Sequence, residues 1–275
     1  MSVPPDASKR IDDIQAALRS TSGLGGWLFY DFRQSDPLAY RILELNPARH
    51  VTRRWYYWVP AQGTPVKLMH TIEPHALDEL PGAAMLYVSW NEQRGHLARI
   101  INGTKRLAMQ YSPMNAIPYI SRVDAGTIEL IRSFGVEVVS SADLVQQFEA
   151  VWSDHQLTTH RDAAEKLRRI VDEAFGHVRE TIVRNARLTE YDLQQYIVSR
   201  IHAYDLTTSS PPIAAANEHS ADPHYTPQRE QSALIRAGDL VLIDLWAKRR
   251  EAGSVYADIT WTGFVGETVP PRHAE

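Results

Sequence analysis

The 275 residues contain no cysteine. That excludes disulfides, thiolate-bound metals and a thiol nucleophile. Basic charge is not in excess. The net charge is −4 at neutral pH, so no positive field advertises a nucleic-acid partner. No apolar run approaches the ~20 residues needed to cross a bilayer, and the opening MSVPPDASKR lacks the apolar core of a secretory signal. Internal repeats and low-complexity tracts are absent, as is the G-x-S-x-G elbow of a serine hydrolase. These absences lead to the expectation of a soluble cytoplasmic protein with no nucleic-acid or membrane partner.

What is present is an ordinary globular composition, 44% hydrophobic and 23% charged, in a chain long enough for about two domains. The first half alternates strand-like and helix-like segments. Strands are expected at GWLFYDF (26–32), RRWYYWVPA (53–61), PVKLMHT (65–71), AMLYVSW (84–90), RLAMQYS (106–112) and VEVVSS (136–141). Gln62-Gly63-Thr64 reads as a hairpin turn. Helices are expected at 10–19, 91–101 and 124–134, the last with Asp124 as N-cap and Gly135 as its stop. Alternation of this kind argues for an α/β domain, and the hairpin makes its sheet mixed. Trp55 and Tyr57 should face one side of that sheet, Tyr56 and Trp58 the other, all as core. Polar SDHQLTT (153–159) reads as a linker between domains at 1–153 and 154–275. A long amphipathic helix over 160–187 follows, with Leu167, Ile170, Val171, Ala174, Phe175, Val178 and Ile182 in one stripe. Thr189 opens a second helix with a capping-box pattern, T-E-Y-D.

The chemistry concentrates near the C-terminal end. DLVLIDLWAK (239–248) reads as a strand, RREAG (249–253) as a turn and SVYADITWTGFVG (254–266) as the returning strand. A turn centred on Glu251 would oppose Asp244 directly to Asp258, with Cβ atoms about 4.5–5.5 Å apart. A strand otherwise built of Leu, Val, Ile and Trp has no packing reason to hold two repelling carboxylates. A divalent cation between them would turn the repulsion into a binding site, and two solvated aspartates are the alternative. His224, in DPHYTP, lies in the loop that leads into this hairpin. Carboxylates with one imidazole suit manganese, cobalt, iron or zinc. Neighbouring His219, in a polar loop, reads as solvated, and His70, His75 and His96 carry no assigned role.

The order of a helix pair, T-E-x-D, a loop ending P-H-Y, then G-D-x-V-L-I-D and Y-A-D-I-T resembles the pita-bread metallopeptidases: aminopeptidase P, prolidase and methionine aminopeptidase, with metal-free creatinase as a relative. The resemblance implies a creatinase-type N-terminal domain, an α/β mixed-sheet unit, followed by an incomplete α+β pita-bread domain. It implies that Asp244 and Asp258 are metal ligands, Asp258 bridging two ions, with two manganese ions expected and cobalt, zinc or iron as alternatives. It implies that His224 contacts the substrate and stabilises the tetrahedral intermediate. Thr260 would orient Asp258 as an outer partner, or else is a strand-favouring surface threonine.

The family takes one further His and two Glu from downstream of this hairpin, whereas the sequence ends at Glu275. The tail ETVPPRHAE is expected to be frayed and to supply no ligand. KRREAG reads as an inserted turn, and Trp261 stands where the family pattern has Arg. The expected function is that of a metal-dependent aminopeptidase or dipeptidase of the Xaa-Pro type, acting on peptides or dipeptides as a homo-oligomer, with little or no activity in this truncated chain. Two alternatives stand beside it: a non-catalytic peptide-binding or oligomerisation module, and a creatinase-like metal-free C–N hydrolase relying on His224. The latter has no use for the aspartate pair.

Overall fold

The computed structural model describes residues 5–273. It contains two compact units, residues 1–151 and 152–275.

The first unit runs α1 (Pro5–Ser20), β1 (Gly26–Asp31), α2 (Pro37–Ile42), β2 (Trp55–Pro60), β3 (Val66–His70), β4 (Ala83–Tyr87), α3 (Trp90–Ile100), β5 (Arg106–Met109), α4 (Ala125–Arg132), β6 (Glu137–Ser140) and α5 (Ala142–Val145). The six strands form one sheet in the order β4-β3-β2-β1-β5-β6. β2 runs antiparallel to β1 and β3, and the remaining pairs are parallel. The sheet is therefore mixed, as the Gln62-Gly63-Thr64 turn requires. Strand alternation sends Trp55, Tyr57 and Val59 into a core with Ile11, Ile14 and Leu18 of α1. Tyr56 and Trp58 enter a second core with Leu97, Ile128 and Ile131 of α3 and α4. Both faces of the sheet are thus covered. At Gly26 a Cβ would lie 2.3 Å from the Trp58 ring and 2.6 Å from the Val59 carbonyl, so only glycine fits. Asp124 caps α4 by accepting from the Thr127 amide at 2.9 Å, and Gly135, at φ +80°, follows its end.

The second unit comprises α6 (Asp154–Val183), α7 (Glu190–Ala203), β7 (Leu206–Thr207), β8 (Ile213–Ala216), β9 (Leu240–Arg249) and β10 (Ala257–Phe264). β9 is central, flanked by β10 on one side and by β7 and β8 on the other. The stripe Leu167, Ile170, Val171, Ala174 and Val178 of α6 is buried with Leu193, Ile197 and Ile201 of α7 and with Val241, Ile243 and Leu245 of β9. Arg200 of α7 grips Glu173 of α6 through Nε at 2.6 Å and Nη2 at 3.2 Å.

Three expectations change. The segment 153–159 is the first turns of α6, not a linker: Ser153 and Gln156 form a reciprocal capping box that starts the helix there. Ile213–Ala216, for which no strand was expected, is a strand paired to β9. In the tail, Pro271–His273 forms a short 3-10 turn with the His273 ring 5.9 Å from Phe264, whereas Glu275 lies outside the described residues. Among the described residues no helix is long and apolar enough to cross a membrane.

An acidic pair is sealed in the first unit. Asp31 and Asp36 are both fully buried. Asp31 accepts from the Gln34 and Asp36 amides at 3.0 Å each. Asp36 Oδ1 caps α2, accepting from Leu38 and Ala39, while its Oδ2 has no partner. Burial pushes the Asp36 carboxyl up to about 7, the Asp31 charge adding to the rise while the cap amides oppose it. The folded state therefore holds the proton more tightly than the unfolded chain. Stability is full below the unfolded pKa of 3.8 and falls as pH rises toward 7, above which the loss is complete. Asp36→Asn keeps the Oδ1 cap and removes the charge. It should abolish this pH dependence, raising stability above pH 7 by a few kcal/mol at most. Urea unfolding of both proteins at pH 5 and pH 8 measures it.

Candidate functional site

The site follows from the two-residue period of β9. Val241, Ile243, Leu245 and Ala247 are fully buried, while Leu242, Asp244, Trp246 and Lys248 are only partly covered. The even-numbered face is therefore the open one. β10 sets Thr262, Thr260 and Asp258 beside it, paired with Leu242, Asp244 and Trp246.

Asp244 is thus opposed by Thr260, and Asp258 by Trp246, which corrects the expected direct pairing of the two aspartates. The register lies two residues away from the expected one. A slip of two keeps every side chain on its own face, so the carboxylates still share one surface, as diagonal neighbours. The returning chain is anchored beyond the turn, while on its other edge β9 pairs Lys248 and Arg249 with Thr207 and Leu206 of β7. Val255 and Tyr256 are drawn to the start of α6. The Val255 amide donates to Thr159 Oγ1 at 3.3 Å, and His160 Nδ1 contacts the Tyr256 carbonyl at 2.8 Å. Gly253, at φ +77°, makes the bend between them.

Thr260 Oγ1 donates to Asp244 Oδ1 at 2.8 Å. The hydroxyl therefore orients Asp244, not Asp258 as expected. Partial burial raises the Asp258 carboxyl above its usual range, and the charge of Asp244 and a hydrogen bond with it add to the rise. Two ionised carboxylates are acceptors only. A bond between them needs a shared proton, and a cation satisfies the same pair of oxygens. Trp261, on the opposite face of β10, is 45% exposed and lies under the guanidinium of Arg168 at 4.3 Å.

His224 is exposed in the loop between β8 and β9. Its amide donates to Asp222 Oδ1 at 2.9 Å. Among the described residues no group of three or more His, Asp or Glu side chains is gathered for a metal, so His224 does not join the aspartates as a third ligand.

Sequence reasoning missed the residue that holds this loop. Glu190, the first residue of α7, is fully buried, 0% exposed. Its Oε1 accepts from the Ala216 amide at 2.7 Å and lies 2.9 Å from His219 Nδ1. Its Oε2 accepts from Tyr225 Oη at 2.6 Å and from the Ala233 amide at 2.8 Å. His219 stacks on the Tyr225 ring at 4.4 Å, so it is a paired side chain and not the solvated one expected. Burial and then the Glu190 bond and charge push the Tyr225 hydroxyl above its ordinary range. Asn217 fastens the other end of the loop, donating to Asp239 Oδ1 at 2.8 Å and accepting from the Leu240 amide at 3.1 Å. An acidic residue in a first helical turn is common as a dipole partner, which hid Glu190 inside the T-E-Y-D cap. The usable signal was His219 and Tyr225 flanking an otherwise polar loop.

Residues 158–275 match the model of metallopeptidase family M24. Among solved structures, the chain is similar to dipeptidase PepE from Mycobacterium ulcerans, at 20% identity and a TM-score of 0.64, over 96% of this chain and 66% of that one. It is also similar to a prolidase from Thermococcus sibiricus, at 21% identity and a TM-score of 0.54, over 97% and 67%. A third is an Xaa-Pro dipeptidase from Bacillus anthracis, at 17% identity and a TM-score of 0.55, over 96% and 66%. At these identities the likeness shows the fold, a mixed α/β unit followed by part of a pita-bread unit. The chain spans about two thirds of the length of these structures. No curated protein matches it.

Glu190→Gln keeps the side-chain volume but turns an NH2 group onto the Ala216 or the Ala233 amide, whichever oxygen it replaces. The expected cost is about 2–4 kcal/mol. Hydrogen exchange should show lost protection over 217–225, and unchanged protection there would contradict the clamp.

Proposed function

We propose that this chain carries the first part of a metal-dependent peptidase site of the Xaa-Pro dipeptidase or aminopeptidase type. The observation that carries this reading is the Asp244–Asp258 pair, two carboxylates on one open face, each within reach of the other. The M24 match over 158–275 and the similarity to structures of a dipeptidase, a prolidase and an Xaa-Pro dipeptidase support it.

The donor set fits a hard divalent ion such as manganese, with cobalt, zinc or iron as alternatives. In this reading Asp244 and Asp258 hold the ion, and the Thr260 bond fixes which Asp244 oxygen remains free. When bound, a divalent ion supplies an acidified water and polarises a carbonyl. The chain's own contribution is to exclude other arrangements. The β9 ladder fixes the aspartates, and the Glu190 clamp fixes the loop on which His224 is exposed. The His224 imidazole is then available to donate to a peptide carbonyl as negative charge develops on it.

Binding of Mn(II), followed by electron paramagnetic resonance, tests the metal seat. Asp244→Ala and Asp258→Ala should each weaken binding by tenfold or more, whereas Asp239→Ala, outside the pair, should not. Addition of an Xaa-Pro dipeptide to the Mn(II)- or Zn(II)-loaded chain should shift the His224 ring resonances. Equal affinity in the wild type and both aspartate variants would contradict the proposal.

A further inference from the structure

We propose that the first unit holds a binding site for a small aromatic anion, a planar ring bearing a carboxylate or phosphate, at the mouth formed by Arg53, Arg54, His70 and Trp90. The site is independent of the peptidase reading and lies in the other unit.

Its position follows from strand direction. Because β2 opposes β1 and β3, and β4 runs with β3, the carboxyl ends of β1, β3 and β4 meet the amino end of β2 at one edge. Phe32, His70 and Tyr87 with Val88 stand at the three carboxyl ends, Arg53 and Arg54 at the start of β2, and Trp90 and Gln93 in the first turn of α3. Open α/β sheets bind ligands beyond the carboxyl ends of their strands. Here those residues line a cavity of about 230 Å³, which shares Phe32 and Arg54 with an adjoining concavity of about 390 Å³.

The cavity lining is cationic, with Glu73 outside it as the acid that feels the Arg53 charge. No carboxylate lines the smaller cavity. Among the described residues neither guanidinium is in an ion pair, and that of Arg54 only rests over the Phe32 ring at 5.6 Å. The nearby acids are engaged elsewhere. Glu73 accepts from the Thr52 amide and hydroxyl and from the Arg53 amide, and Asp124 from the Thr127 amide and hydroxyl. His70 Nδ1 accepts from the Ile72 amide at 3.0 Å, which leaves its proton on Nε2 as a donor. Two planar five-donor groups beside an imidazole N–H match the oxygens of a carboxylate or phosphate.

The walls supply the other half of the recognition. Trp90 is 65% exposed, Val88 63% and Phe32 39%, while Gln93, only 4% exposed, closes the floor. Exposed aromatic faces at a concave, cationic mouth suit a flat ring better than a bare ion.

Titration of the full chain with phenyl phosphate, benzoate, inorganic phosphate and benzyl alcohol, followed by the indole N–H resonances, tests the site. At least one aromatic anion should shift Trp90 and bind tenfold or more tighter than benzyl alcohol and inorganic phosphate. The ranking of phenyl phosphate against benzoate identifies the head group. Arg53→Gln and Arg54→Gln should each weaken that binding by tenfold or more, and Arg54→Lys should restore it only in part, all with an unchanged melting temperature. Benzyl alcohol binding as tightly as the anions, binding retained in the double Arg→Gln variant, or no Trp90 shift at low-millimolar phenyl phosphate would overturn the proposal.

Discussion

The alternation of β9 governs the second unit. Its odd positions, Val241, Ile243, Leu245 and Ala247, are buried with the apolar stripes of α6 and α7. Full burial of an aliphatic side chain contributes about 1.5–3 kcal/mol, so three such residues leave the strand one orientation. A one-residue slip would bury Asp244 and expose Ile243. A two-residue slip is neutral on that account, which is why contacts with the start of α6 could choose the register. The open face, and the aspartates on it, are a by-product of packing on the closed one.

Around that strand polar contacts join the apolar anchor Ile235 in holding the irregular chain. Glu190 is a buried carboxylate satisfied by two backbone amides, a phenol and an imidazole, all from residues 216–233. Desolvation of such a charge is costly unless every partner is present. Helix α7, the start of the 217–225 loop and the approach to β9 are therefore fixed together. The exposure of His224 is a consequence of that arrangement, as its neighbours Asp222 and Tyr225 are both tied down.

Most of the regular structure was legible because local signals agreed. The aromatic run Trp55–Trp58 divides between two cores as its period demands, and the Asp124 and Thr189 caps start their helices where written. The aspartate face was legible for the same reason. The register was not, since Val255 and Tyr256 carry no mark of the α6 partners that draw them in, and the role of Thr260 changed with it. β8 escaped because Ala214–Ala216 has weak strand propensity and is placed by pairing with β9 and by burial in the core. Glu190 escaped because its partners lie 26 to 43 residues away.

The account stands on Asp244 and Asp258 sharing one surface closely enough for each to feel the other's charge. The titration of the Asp258 carboxyl, followed by carbon-13 resonance in the wild type and in Asp244→Asn, measures this directly without metal or substrate. The Asp258 pKa should lie above the ordinary 3.8 in the wild type and fall part of the way back in the variant, the burial contribution remaining. An Asp258 pKa that is unchanged by the substitution would show that the two groups do not face one another.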